Sequence, residues 1–188
     1  NIVNGVKWGP DGWLYGRHGI TSTSYIGAPG TPEKDRIAMN CAIWRFHPVR
    51  KTFEVFCHGG TNPWGLDWNE DGQMFYTNTV IGHLWHAIPG AYYERMFGAH
   101  LNPLAYEYIG HTADHYHWDK GSEKWSDIRE GISDKTSELG GGHAHMGCLI
   151  YQGGVWPKEY HGKLFACNLH GRRINMDILE REGNGYVG

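Results

Sequence analysis

The 188 residues carry a formal net charge of −3, with 28 Gly, 9 Trp, 11 Tyr and 6 Phe. That balance suits one turn-rich β domain or a piece of one, and it lacks the basic face a nucleic-acid partner requires. No apolar run approaches the roughly 20 residues that span a bilayer, and the four cysteines form no C-x-x-C pair, which excludes a zinc ribbon and a c-type haem attachment within the segment.

Residues 5–15 read G-V-K-W-G-P-D-G-W-L-Y. Apolar residues alternate on both sides of Asp11-Gly12, so the segment predicts two short strands joined by a turn that needs a positive φ. Arg17-His18-Gly19 then matches the Arg-His-Gly signature of histidine phosphatases, with His58 as a second histidine. Phosphoryl transfer at Arg17-His18 is a minor alternative. That fold needs long helices between the two segments, where this chain has Gly27, Pro29, Gly30 and Pro32. Ala42-Ile43-Trp44-Arg45-Phe46 and Thr52-Phe53-Glu54-Val55-Phe56 predict further strands. Cys41 and Cys57, like Cys148 and Cys167, are read as buried thiols, with a disulfide within each pair as the alternative in an oxidising compartment.

Sixty positions after the first hairpin, residues 65–75 read G-L-D-W-N-E-D-G-Q-M-F, the same grammar in register, and Gly82-His83-Leu84-Trp85-His86 follows as a strand. Residues 89–139 form a long insertion, and insertions of that length carry function more often than they act as spacers. Within it residues 91–97 predict one or two helical turns. It also carries His100, His111, Asp114, His115 and His117, and Gly140-Gly141-Gly142-His143-Ala144-His145 comes just after it. Residues two apart share a face of an extended strand. His115 with His117, and His143 with His145, can therefore each present two imidazoles to one metal or one substrate; the alternative is that they hydrogen-bond the loops together. His143 and His145 are expected in one pocket with at least one insertion histidine. Gly110, His115, His117 and Glu123 approximate a first cupin motif, but the spacings differ and no second motif follows.

A third, looser copy begins at Gly147-Cys148-Leu149-Ile150-Tyr151, stretches its turn over 152–161, resumes at Gly162-Lys163-Leu164-Phe165 and ends on an alternating strand from Arg173. Repeated units of three or four short strands predict an all-β fold, a β-propeller of about three blades, in preference to an antiparallel sandwich. Complete rings hold about four to eight blades. Residues 1–188 are therefore expected to be a partial propeller domain of a longer chain, with 89–139 as an inserted loop region.

The stretches Gly9-Pro10-Asp11-Gly12-Trp13-Leu14-Tyr15, Thr61-Asn62-Pro63-Trp64-Gly65-Leu66, and Gly162-Lys163-Leu164-Phe165 through Arg172-Arg173-Ile174 resemble the glucose/sorbosone dehydrogenase propellers, which use pyrroloquinoline quinone. W-G-P-D-G-W-L-Y at 8–15, H-P-V-R-K at 47–51, N-P-W-G at 62–65, P-G-A-Y-Y-E-R-M at 89–96 and G-G-G-H-A-H at 140–145 are similar to the large membrane-bound dehydrogenase propellers of planctomycete-type bacteria. The resemblance implies a periplasmic or extracytoplasmic oxidoreductase acting on a small sugar or alcohol. It also implies pyrroloquinoline quinone with calcium as cofactors, electrons passing to a cytochrome-type haem module outside this segment, and any membrane association through other regions. The candidate residues are His18, His143 and His145 for catalysis, Asn62, Arg172 and Arg173 for the cofactor, and His115 and His117 for a metal. In the resembled enzymes the general base lies just before the first hairpin, at or before Asn1, and Gly-Asp stands where this chain has His18-Gly19. Their Arg-Asn-Pro-Gln-Gly becomes Thr61-Asn62-Pro63-Trp64-Gly65, which replaces a fixed cation by Thr61. A non-catalytic propeller that binds carbohydrate or a protein partner is the alternative.

Overall fold

The computed structural model describes residues 3–79 and 82–188. Strands β1 (Asn4–Trp8), β2 (Leu14–His18), β3 (Ser24–Ile26), β4 (Ile37–Met39), β5 (Ala42–His47) and β6 (Thr52–Gly60) come first. They are followed by β7 (Pro63–Trp68), β8 (Met74–Asn78), β9 (Leu84–Ala87) and β10 (Tyr92–Arg95). Two single-turn helices, α1 (Trp125–Ile128) and α2 (Asp134–Glu138), precede β11 (His145–Ile150), β12 (Leu164–Asn168), β13 (Arg173–Asp177), β14 (Glu180–Glu182) and β15 (Gly185–Val187). Three blade-like sheets result, in the orders β1-β2-β5-β6-β10, β7-β8-β9 and β11-β12-β13. The chain divides into two compact units, one of residues up to Pro63 with Ala87–Gly110 and one of Trp64–His86 with His111–Gly188.

The repeat in the sequence is a repeat of backbone hydrogen bonds. In the first hairpin Gly9 N–H donates to Trp13 O at 2.8 Å and Gly12 N–H to Gly9 O at 3.2 Å. Sixty residues on, Asn69 N–H donates to Gln73 O at 2.9 Å and Gly72 N–H to Asn69 O at 3.0 Å. Gly12 and Gly72 take φ of 79° and 73°, the left-handed conformation that the Asp-Gly pairs predict.

The first unit packs Tyr15, Met39, Ile43, Phe56 and Tyr93 into its interior. Arg45 seals its rim, with its guanidinium 4.2 Å over Trp13 and 2.7 Å from Glu54. The second unit closes around Phe75, Leu84, Ala113, Ile150, Leu164 and Ala166. Apolar burial is the main favourable term holding each interior together.

Two expectations are corrected. Residues 91–97 form no helix: Tyr92–Arg95 is a strand that runs parallel to β6. Its backbone is fixed from the other side by Ile109, whose N–H donates to Tyr92 O at 2.9 Å, and two adjacent aromatic residues suit that pleated setting better than a helix. The phosphatase-like tripeptide lies on β2 of an antiparallel sheet, with Arg17 Nε donating to Asn4 Oδ1 at 3.0 Å, so a hairpin and not an α/β active site accounts for it. All four cysteines are free thiols, Cys41 and Cys57 buried as expected, Cys148 half-buried and Cys167 exposed against expectation. No helix among the described residues is long and apolar enough to cross a membrane.

Candidate functional site

The second unit gathers its histidines because two loops are pinned to strand ends. The insertion is stitched to β9: Thr112 N–H donates to Leu84 O at 2.8 Å, and His86 N–H to Thr112 Oγ1 at 2.8 Å. Gly82 N–H and His115 N–H then reach Asp114 Oδ1 at 3.1 and 2.9 Å, which places His83 beside the Asp114–His115 pair. On the other side, Gly142 has a φ of 128°, and a Cβ there would meet Gly171 N and Asn168 Oδ1 at 2.5 Å. Only glycine lets the loop approach β12 this closely. Gly142 N–H donates to His117 O at 2.9 Å, drawing the two His-x-His segments together.

Five imidazoles result in one cluster. Ring centroids run from His143 to His117 (5.2 Å), to His115 (4.2 Å), to His145 (4.0 Å) and to His83 (4.6 Å). Each end has an anchor. His83 Nε2 lies 2.9 Å from Asp177 Oδ1, and His117 Nε2 lies 3.1 Å from Asp114 Oδ2. His117 Nδ1 meets His143 Nδ1 at 3.0 Å, and His115 Nε2 meets Gly142 O at 2.6 Å. Trp125, 43% exposed, packs edge-on to His143 at 4.5 Å, and Trp118 and His170 complete the aromatic surround. A cleft of about 430 Å³ opens along residues 115–121, including His117 and Trp118.

Burial favours the neutral form of three of the rings. It pushes His143 down to about 3 and His145 to about 2, and the neighbouring imidazoles add to the effect. His115 is lowered for the same reasons. Burial opposes the Asp114 carboxylate, yet the surrounding imidazoles and the His115 backbone N–H outweigh it and hold Asp114 well below the usual carboxylate range.

The structure thus brings His115, His117, His143 and His145 together. His18 belongs to the first unit, where it is fully buried, donates from Nδ1 to Gly19 O at 2.7 Å and has Nε2 2.8 Å from Ser24 Oγ. Asn62 is buried in that unit too, beside Thr61, whose carbonyl accepts from Ile20 N–H. Arg173 donates to Ser137 O and Ser137 Oγ at 3.0 and 2.9 Å and so ties down α2; Arg172 is exposed in the β12–β13 turn with a φ of 52°. His111 packs on Trp85 instead of joining the cluster. His83 and Asp177 were not legible as site residues, because β9 and β13 are brought to the insertion only by the tertiary fold.

A tricarboxylate quinone needs fixed cations and hydrogen-bond donors around its anionic edge. Thr61 and Asn62 are neutral and Arg173 is committed to Ser137, which leaves exposed Arg172 as the remaining cation among the expected cofactor residues. Calcium asks for an all-oxygen shell, whereas the cluster offers imidazole nitrogens with two carboxylates, a donor set for a first-row transition metal.

The family described as Domain of unknown function (DUF7133) matches residues 1–187. No curated protein matches the sequence. Among solved structures, the PQQ-bound form of an aldose sugar dehydrogenase from Streptomyces coelicolor is similar with a TM-score of 0.56 and 18% identity, covering 98% of this chain and 47% of that one. A protein from Thermus thermophilus, described as an oxidoreductase (glucose dehydrogenase), is similar with a TM-score of 0.54 and 20% identity, covering 97% of this chain and 48% of that one. The chain therefore spans about half the length of these neighbours, and the likeness is one of fold, an all-β propeller.

Proposed function

The chain belongs to the family described as Domain of unknown function (DUF7133), and we propose that it is part of a sugar or alcohol dehydrogenase-like propeller in which His143 takes the proton of the substrate hydroxyl. The observation that carries this reading is the Asp114–His117–His143 relay. With a single proton on His117, that proton sits on Nε2, facing the Asp114 carboxylate, which only accepts. His117 Nδ1 is then an acceptor, and the 3.0 Å contact requires the N–H of His143 to be on its Nδ1. Nε2 of His143 is left with its lone pair. Burial and the neighbouring rings weaken His143 as a base, and Asp114, acting through His117, offsets part of that loss when the proton arrives. Trp125 and Trp118 offer faces for a sugar ring.

Oxidation of the alcohol is completed by a two-electron acceptor that these residues do not supply. The sequence resemblance supports a quinone held by other parts of a longer protein, an extracytoplasmic location and onward transfer to a haem module. The test uses the full-length protein supplied with pyrroloquinoline quinone and calcium, with ferricyanide as terminal acceptor and a panel of aldoses and primary alcohols. Turnover is expected, and His143→Ala should lower it by about 10²–10⁴-fold. No turnover on any substrate would overturn the dehydrogenase reading. Undiminished turnover in His143→Ala would overturn the assignment of the base alone.

A further inference from the structure

We propose that His83, His115 and Asp114 form a binding site for one divalent first-row transition metal. One donor atom from each of the three lies within 4.8 Å of the others, a span that a metal with bonds of about 2.0–2.2 Å closes through small side-chain rotations. The site goes beyond the dehydrogenase reading and does not depend on it.

Unsatisfied nitrogens carry the argument. The Gly142 carbonyl can only accept, so its 2.6 Å contact fixes the proton of His115 on Nε2 and leaves a lone pair on Nδ1. That Nδ1 is buried, has no hydrogen-bond partner and sits 3.3 Å from Asp114 Oδ1, which also only accepts. His83 repeats the pattern: Nε2 faces the Asp177 carboxylate, and Nδ1 is buried without a partner. The side chains of His83 and His115 are 3% and 6% exposed. The lone pairs of His83 and His115 are buried beside Asp114 Oδ1, which already accepts from Gly82 and His115 N–H, and each unsatisfied buried nitrogen is costly. A cation removes both costs at once.

The outer contacts have the form found behind metal ligands. Each histidine donates its far N–H to an oxygen, the Gly142 carbonyl or Asp177, which fixes its tautomer and orientation. Asp114 as ligand and Asp177 behind His83 balance a charge of +2. His145 packs at 4.0 Å from His115 and 4.6 Å from His83, and neither of its buried nitrogens has a hydrogen-bond partner, so it is the nearest further donor. The neighbouring set His115, His117 and His143 also lies within ligating distance, but there His117 and His143 already satisfy each other. Two histidines and one carboxylate with open positions suit iron(II), cobalt(II) or zinc(II).

The test is titration of the chelator-stripped 188-residue chain with cobalt(II), read by its visible d–d absorption and by calorimetry. One tight site is expected, with zinc(II) displacing cobalt(II). His83→Ala and His115→Ala should each abolish it, while His161→Ala leaves it unchanged. Asp177→Asn keeps every ligand and should weaken binding about 10–100-fold. Near-ultraviolet circular dichroism establishes which variants keep the native fold. Where an alanine variant does not, Asp177→Asn decides. Absence of a cobalt(II) site in the wild-type chain, or equal affinity in the natively folded variants, would overturn the proposal.

Discussion

His117 Nδ1 stands 3.0 Å from His143 Nδ1 while His117 Nε2 stands 3.1 Å from Asp114 Oδ2, so a single carboxylate sets the proton positions on two successive rings. Long-range ¹H–¹⁵N spectra should show His117 as the Nε2–H tautomer and His143 as the Nδ1–H tautomer. Replacing His117 by Phe keeps a ring in place and removes the acceptor. His143 should then populate both tautomers. Turnover of the full-length protein should fall about 10–10²-fold with KM little changed, since the group that orients the base has been lost. A single, unchanged His143 tautomer in the variant would show that something other than the relay fixes it.

Much of the fold was legible because its signals are local. Asp11-Gly12 and Asp71-Gly72 announce turns whose hydrogen bonds repeat, and alternation from Arg173 onward predicts β13, whose residues alternate between half-buried and exposed. Strand β10 was not legible, since its partners are Ile109 and β6, far from it in the sequence. The site divides in the same way. Two His-x-His pairs and a run of glycines mark a cluster in the sequence. The third side of that cluster comes from His83 and Asp177, which are 94 residues apart and carry no shared pattern.

The first unit should lose stability in mild acid. His58 is stacked on Tyr92 at 4.5 Å. Burial, with help from His100 and Arg95, pushes it from 6.5 down to about 4. Between those values the unfolded chain binds a proton that the folded chain refuses, so stability is fully present above pH 6.5 and drains away as pH falls toward 4. His58→Phe keeps the stacked ring and removes the proton site. Thermal unfolding followed from about pH 7.5 to about pH 4.5 should show a shallower decline for the variant. Parallel curves would mean that His58 does not contribute to the acid sensitivity.

Arg173 ties α2 to the start of β13 through Ser137. Arg173→Ala should leave the β11–β13 sheet intact, because its backbone pairing is independent of that side chain. Amides of residues 136–142 should exchange roughly tenfold faster, the mark of a local opening and not of global unfolding. Uniform acceleration across β12 and β13 would contradict this, as it would make the guanidinium a support of the sheet.

The two equivalent turns and a third glycine separate backbone strain from steric exclusion. A Cβ added at Gly12 or Gly72 would meet nothing within 4 Å, so alanine there costs only the left-handed conformation. The expected loss is about 1–2 kcal/mol at each position, measured by denaturant unfolding. Gly65 has no positive φ, but its Cβ would lie 2.3 Å from the Gly147 carbonyl carbon and 2.5 Å from Cys148 N. Backbone cannot swing aside as a flexible side chain can, so β7 and β11 would have to separate where Asp67 Oδ2 accepts from Ile150 N–H at 2.8 Å. Gly65→Ala should therefore cost more than either turn variant, and it should broaden the amide signals of residues 145–150. If Gly65→Ala proves as mild as Gly12→Ala, then β7 can shift away from β11 at little cost, and their close approach is not a constraint on the second unit.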